Sequence, residues 1–274
     1  MIITDRFVVL SNPKTGSTFV RAALKRIHGY DDPPKGLLPL PWRFRTTRGG
    51  MSELLLPNLR APDERPADQH GTLSQIPRAH RGKPVVSVVR DPFSRLLSAY
   101  RFQWWRRYPP GPPELLARRF PRFPELTLEE YLRLEEFDAS TRLPSPPPDF
   151  RVGFQTVQFI QMFFRDPTRV LRGLDDSYLD SDRFLDDLPR IHFLQTEDLN
   201  RELHQFLLEA GYPEERVSFI LKLPAANTTE RPLGAAPWNQ QLLAEVLRSE
   251  RLLFRILRHQ GFHYPSPTVA HPGA

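Results

Sequence analysis

Apolar positions along the chain fall into two kinds of run that alternate. Short continuous runs of four or five residues read as buried strands, and longer runs with apolar residues three and four apart read as one face of a helix. The first pair is Phe7-Val8-Val9-Leu10, then the turn Ser11-Asn12-Pro13-Lys14-Thr15-Gly16, then Phe19, Val20, Ala23, Leu24 and Ile27 at helical spacing, with Gly29 placed to end the helix. The second pair is Val85-Val86-Ser87-Val88-Val89, which reads as a strand buried on both faces, followed by Arg90-Asp91-Pro92 and a helix carrying Leu96, Leu97 and Tyr100. Asp91 has the chemistry of an N-cap and Pro92 that of a first helical residue. Further on, Ile191-His192-Phe193-Leu194 predicts a third strand leading into a helix near Leu199 to Ala210. Asn239 to Gln260 predicts a single long amphipathic helix on Leu242, Leu243, Val246, Leu247, Leu253, Phe254 and Leu257.

Strands that alternate with helices imply an α/β fold with a mainly parallel central sheet covered by helices on both faces. A chain of 274 residues is long enough for one such domain with its own core. The expectation is a single domain over residues 1–264 and a disordered tail over 265–274. Of thirty prolines, eighteen cluster at 31–41, 57–66, 109–113, 144–148 and in the tail, where they punctuate the periodic segments rather than extend them. No internal repeat is visible.

Composition narrows the classes further. Hydrophobic residues make up 39%, and no apolar run reaches the roughly 20 residues needed to cross a bilayer. The amino-terminal residues lack the basic, apolar and small-residue succession of a secretory signal, so the expected location is cytoplasmic. The absence of cysteine excludes disulfides, thiolate nucleophiles and cysteine-based zinc sites. The net charge is +6 and arginine supplies 33 of the 38 cations, which suits an anionic ligand. An arginine bias on a solvated surface accounts for the same count, so charge is support only.

The candidate chemistry begins with Pro13-Lys14-Thr15-Gly16-Ser17-Thr18. A loop between a buried strand and a helix gathers free backbone N–H groups and the positive end of the helix dipole, which is how a phosphate is cradled. It departs from the Walker A pattern, because Lys14 precedes the glycine by two and no glycine opens the loop. The second element is Arg90-Asp91-Pro92-Phe93-Ser94-Arg95-Leu96-Leu97-Ser98-Ala99-Tyr100, with Arg90 at the carboxyl end of its strand, where open α/β sheets bind ligands. A Walker-type enzyme would want a metal-holding aspartate there, and Asp91 before Pro92 is better explained by capping.

Together these two elements resemble the 3′-phosphoadenosine 5′-phosphosulfate (PAPS)-dependent sulfotransferase family, in particular its carbohydrate-type and bacterial branch. The family's first signature is Pro-Lys-x-Gly-Thr/Ser-Thr, and its second is an Arg and a Ser eight residues apart. The resemblance implies a P-loop-like, three-layer architecture and PAPS as co-substrate. It implies that Lys14, Thr15, Gly16, Ser17 and Thr18 line the 5′-phosphosulfate side, and that Arg90 and Ser98 hold the 3′-phosphate. The segment Phe193 to Leu199 is similar to the family's Tyr/Thr-Glu-Asp-Leu segment. Asn227-Thr228-Thr229-Glu230-Arg231 resembles the late segment that folds over the nucleotide, where Arg231 adds a phosphate contact.

By the same resemblance the reaction is an in-line displacement with Lys14 stabilising the leaving phosphate oxygen and a histidine taking the acceptor proton. His70, twenty residues before Arg90, matches the interval at which the family's catalytic histidine precedes that strand. His80 and a carboxylate stay open as alternatives. The acceptor is a hydroxyl, with a carbohydrate implied by the family branch. No metal is expected, since the histidines show no shared ligand spacing and the donor chemistry needs none. Two other classes stand against this reading: a P-loop-like ATP-dependent kinase, disfavoured by the missing Walker order, and a basic nucleic-acid-binding module, disfavoured by buried strands before both anion loops. Oligomeric state is not legible.

Overall fold

The computed structural model describes residues 1–29, 49–59, 67–144, 146–147, 149–224 and 238–269. Five strands form one sheet: β1 (Ile2–Thr4), β2 (Val8–Leu10), β3 (Met51–Glu53), β4 (Val85–Val89) and β5 (His192–Gln195). Their spatial order is β3-β1-β2-β4-β5. β2 pairs in parallel with β4 through Val9 and Val86, and β4 pairs in parallel with β5 through Val88 and Leu194. The expected parallel sheet is therefore present on one side. The other side is antiparallel, because β1 turns back onto β2 and pairs with β3 in the same sense, so the sheet is mixed.

Backbone contacts divide the chain into two compact units, the first running Met1–Arg90 and resuming at Arg190, the second running Asp91–Pro189 and resuming with the described residues after 237. In the first unit, the helix α1 (Ser17–His28) presents Phe19, Val20, Ala23, Leu24 and Ile27 to Ile2, Val9, Val86, Val88 and Leu194. The helix Leu199–Glu209 adds Leu203, Phe206 and Leu207 to the same cluster. The opposite side chains of these strands, Ile3, Val8, Leu10, Val85 and Val89, are buried as well. Gly29 adopts φ 57° and ends α1, its N–H bonding back to Arg26 and Lys25, a conformation that costs a glycine little. The short β3 carries a fully buried carboxylate, Glu53, neutralised from α1 by Arg21 at 3.0 Å and Lys25 at 3.3 Å.

The second unit is helical. Its first helix, α2 (Pro92–Phe102), starts as the sequence implies: the Asp91 carboxylate accepts the N–H groups of Phe93 and Ser94 at 3.2 and 3.1 Å, with Pro92 in the first turn. The helix Leu128–Ser140 opens on a reciprocal cap in which Thr127 accepts from the Glu130 N–H and Glu130 from the Thr127 N–H. That Thr-x-x-Glu spacing stands in the sequence as a start signal. In the segment 101–108, where aromatics are interleaved with arginines, Trp105 is fully buried, stacked on Tyr100 at 5.9 Å and tilted against Tyr131 at 4.8 Å, while Arg106 and Arg107 are exposed and Phe102 is 66% exposed.

The predicted helix over 239–260 is two helices, Gln240–Ser249 and Arg251–His259. The break is at Glu250, which turns its side chain inward to the amino end of the helix Phe154–Phe163. There it accepts the N–H of Gln155 at 3.1 Å, the N–H of Thr156 at 2.7 Å and the Thr156 hydroxyl at 2.6 Å. The Ser249 carbonyl accepts from the Gly153 N–H at 2.8 Å. Gly153 offers no capping side chain, so Glu250 caps this helix from a distance in sequence.

Candidate functional site

The loop after β2 has two residues in the left-handed region, Lys14 at φ 64° and Gly16 at φ 89°. For a lysine this conformation costs about 1–2 kcal/mol, and such outliers gather where a backbone is shaped for a ligand. Left-handed residues on either side of Thr15 turn successive amide N–H groups toward one concave side, the geometry of an anion nest. Gly16 is fixed by two constraints: its φ disfavours any side chain, and a Cβ there would lie 2.9 Å from Leu199 Cδ2.

Four carbonyls of the loop are engaged in hydrogen bonds. The Asn12 carbonyl accepts from Thr15 Oγ1 at 2.9 Å. The Lys14 carbonyl accepts from Arg90 Nη1 at 3.3 Å, and the Thr15 carbonyl from Thr196 Oγ1 at 2.7 Å. The Gly16 carbonyl accepts from the Phe19 N–H at 2.9 Å, inside the first turn of α1. Asn12 is itself anchored, donating from Nδ2 to the Val88 carbonyl at 3.2 Å.

Charge follows the same geometry. Burial first, and the Arg90 guanidinium second, push the Lys14 ammonium below the ordinary lysine range. A nearby anion would offset the repulsion between these two cations. Arg90 stands directly after β4, at the carboxyl end of the parallel strands.

His70 joins the same end of the sheet. Its Nδ1 lies 2.7 Å from the Ser11 carbonyl, and its backbone N–H donates to Asp68 Oδ1 at 2.7 Å. A carbonyl only accepts, so Nδ1 carries the proton and the neutral ring keeps Nε2 as its basic nitrogen. His80 is in the turn Arg78–His80 ahead of β4, at the amino end of a five-residue strand that spans roughly 16 Å. Arg90 is at the other end. His80 is also held below the ordinary histidine range, by burial and then by Lys83.

Thus Lys14 to Thr18, His70 and Arg90 all lie at the carboxyl ends of β2 and β4 in the first unit. Ser98 lies in α2 of the second unit, two turns after Pro92 and half-buried. Arg231 and the segment 227–231 lie outside the described residues. Two contributors were not assigned from sequence, Asn12 and Thr196. Both are polar residues just past the carboxyl end of a strand, which is the one signal that marks them. No group of three or more histidine or acidic side chains able to hold a metal occurs among the described residues, and no described helix is long and apolar enough to cross a membrane.

A sequence model described as "Sulfotransferase family" matches residues 2–142, just over half of the 274 residues. The matched stretch contains both anion-loop segments and His70 and ends before Thr196. No curated protein matches the sequence. Among solved structures the chain is similar to mouse sulfotransferase SULT7A1 complexed with PAP, at 13% identity and a TM-score of 0.33. The similarity covers 80% of this chain and 63% of that one, so the chain spans less than two thirds of its length.

Proposed function

Because the chain belongs to the sulfotransferase family, we propose that it transfers a sulfuryl group from PAPS to an acceptor hydroxyl, with a carbohydrate as the acceptor class the family branch suggests. The observation that carries this reading is the tethered loop: Lys14 and Gly16 are both left-handed, the alternation that shapes an anion nest, and the loop's carbonyls are engaged by Thr15, Arg90 and Thr196. Lys14 to Thr18 form the 5′-phosphosulfate cradle in this reading. Arg90 takes the 3′-phosphate with Ser98, and Arg231 adds a further contact.

Sulfuryl transfer passes through a loose transition state, by analogy with phosphoryl transfer, so positioning and charge stabilisation do most of the work. Lys14 acts on the bridging oxygen as negative charge gathers there when the S–O bond breaks. A bound anion opposes the pressure that burial and Arg90 place on the ammonium. His70 receives the acceptor proton on Nε2, and its Nδ1–H bond to Ser11 orients the ring and stabilises the imidazolium that results. The position of His80 at the amino end of β4 argues against the alternative base.

A nucleoside triphosphate kinase would need a carboxylate after β4 to hold its metal. Arg90 occupies that place, and the Asp91 carboxylate accepts from Phe93, Ser94 and the Ser94 hydroxyl. The test is turnover of PAPS by the purified protein across a panel of sugar and phenolic hydroxyl acceptors, read as release of adenosine 3′,5′-bisphosphate. Acceptor-dependent release supports the proposal. Turnover of ATP with magnesium and none of PAPS contradicts it.

A further inference from the structure

Thr196 sits where β5 ends and the helix Leu199–Glu209 begins, in a three-residue turn. Its hydroxyl lies 2.7 Å from the Thr15 carbonyl and 2.9 Å from the Val89 carbonyl. One hydroxyl proton is shared between two acceptors that belong to the two anion-binding segments, one in the loop after β2 and the other directly before Arg90. Nothing in the sequence of either segment calls for this contact.

A peptide unit is planar and trans, so a carbonyl fixed in direction also fixes the N–H on the other side of the same bond. Holding the Thr15 carbonyl therefore aims the N–H of Gly16, and holding the Val89 carbonyl aims the N–H and main chain of Arg90. The Thr196 methyl group adds packing, since Cγ2 lies 3.8 Å from the position a Cβ on Gly16 would take. Leu199, three residues on, closes the remaining space against Gly16. Arg90 completes the loop by bonding the Lys14 carbonyl at 3.3 Å, which in turn aims the N–H of Thr15.

We infer that Thr196 is a positioning residue for the donor, a single hydroxyl that locks the 5′ cradle and the Arg90 arm into one register so that both ends of a nucleotide bisphosphate are met at once. This rests on the reading of the site as a PAPS site. Thr196 touches neither end of the donor in this account; it acts through Gly16 and Arg90.

The test compares wild type with Thr196→Val, which keeps the shape and removes the hydroxyl, and with Thr196→Ser, which keeps the hydroxyl and removes the methyl. Two quantities are read: the dissociation constant for adenosine 3′,5′-bisphosphate, and hydrogen exchange of the ligand-free loop amides over residues 11–19, with melting temperature followed alongside. Thr196→Val is expected to weaken binding about tenfold, the effect of about 1.4 kcal/mol from one lost hydrogen bond. It is also expected to speed loop exchange, while Thr196→Ser stays close to wild type in both. A Thr196→Val protein that melts lower yet binds and exchanges like wild type would reduce Thr196 to a packing residue and overturn the inference. If wild type itself binds no bisphosphate, the PAPS reading fails and the donor role falls with it, whereas exchange, which needs no ligand, decides the clamp separately.

Discussion

Replacing Glu250 by glutamine tests whether the buried carboxylate that caps the helix Phe154–Phe163 carries a pH-dependent cost. Burial pushes the Glu250 carboxyl from 4.5 up to about 7, against the opposing pull of its bonds to Thr156 and Gln155 and of the nearby Arg95 charge. A carboxyl whose folded pKa is raised binds its proton more tightly in the folded state. Its contribution is therefore fully present below the unfolded value and is lost as pH rises through the folded one. At about 1.4 kcal/mol per unit, the wild type should lose about 2 to 3 kcal/mol between pH 5 and 8 relative to Glu250→Gln, which has no proton to release. The amide of the variant sets one nitrogen against the donors of Thr156, which adds an offset that does not vary with pH. The slope, rather than the level, carries the test. Urea unfolding followed by tryptophan fluorescence is the assay, since Trp104, Trp105 and Trp238 all lie in the second unit. With m of about 1–3 kcal/mol/M, the gap between the two midpoints should change by roughly 1 M over that range. A gap that stays flat from pH 5 to 8 would refute the reasoning. The network also reaches α2: Gln155 Nε2 donates to the Pro92 carbonyl at 3.0 Å, and Arg95 donates to Gln155 Oε1 at 3.3 Å. Loss of this cap should thus loosen the start of the helix that carries Ser98.

Two substitutions probe the loop and the proposed base. Gly16→Ala forces a side chain into φ 89° and against Leu199; it should cost about 1–2 kcal/mol in stability and weaken bisphosphate binding more than tenfold by calorimetry, and unchanged affinity would show that the loop is not the cradle. His70→Gln should lower kcat by about 100-fold or more while leaving donor affinity within about threefold, as steady-state kinetics and calorimetry together would show. A proportionate loss of donor binding would instead make His70 a support for the Ser11 turn.

The parallel heart of the sheet was legible because β2, β4 and β5 are apolar runs set before helices with clear periodicity and stops. β1 and β3 were not. Each is three residues long, and Met51-Ser52-Glu53 buries a carboxylate whose partners, Arg21 and Lys25, lie on α1, so no local pattern announces it. The antiparallel edge that makes the sheet mixed follows from those two strands. The single helix expected over 239–260 fails at Glu250 because the periodicity is continuous across a residue whose side chain is claimed by a distant helix end. At the candidate site, the placement of Lys14, Gly16 and Arg90 beside strand ends was legible from the sequence. Asn12 and Thr196 act through backbone carbonyls, and a hydroxyl or amide bonded to a carbonyl far away in sequence leaves no spacing to read.

The most direct test of the central claim is calorimetric binding of adenosine 3′,5′-bisphosphate and of ATP with magnesium to the wild type, Lys14→Ala and Arg90→Ala. Binding of the bisphosphate in preference to ATP, weakened by Lys14→Ala and abolished by Arg90→Ala, is the predicted result. Preference for ATP, or bisphosphate binding that survives Arg90→Ala unchanged, would contradict the assignment of this site to a sulfuryl donor.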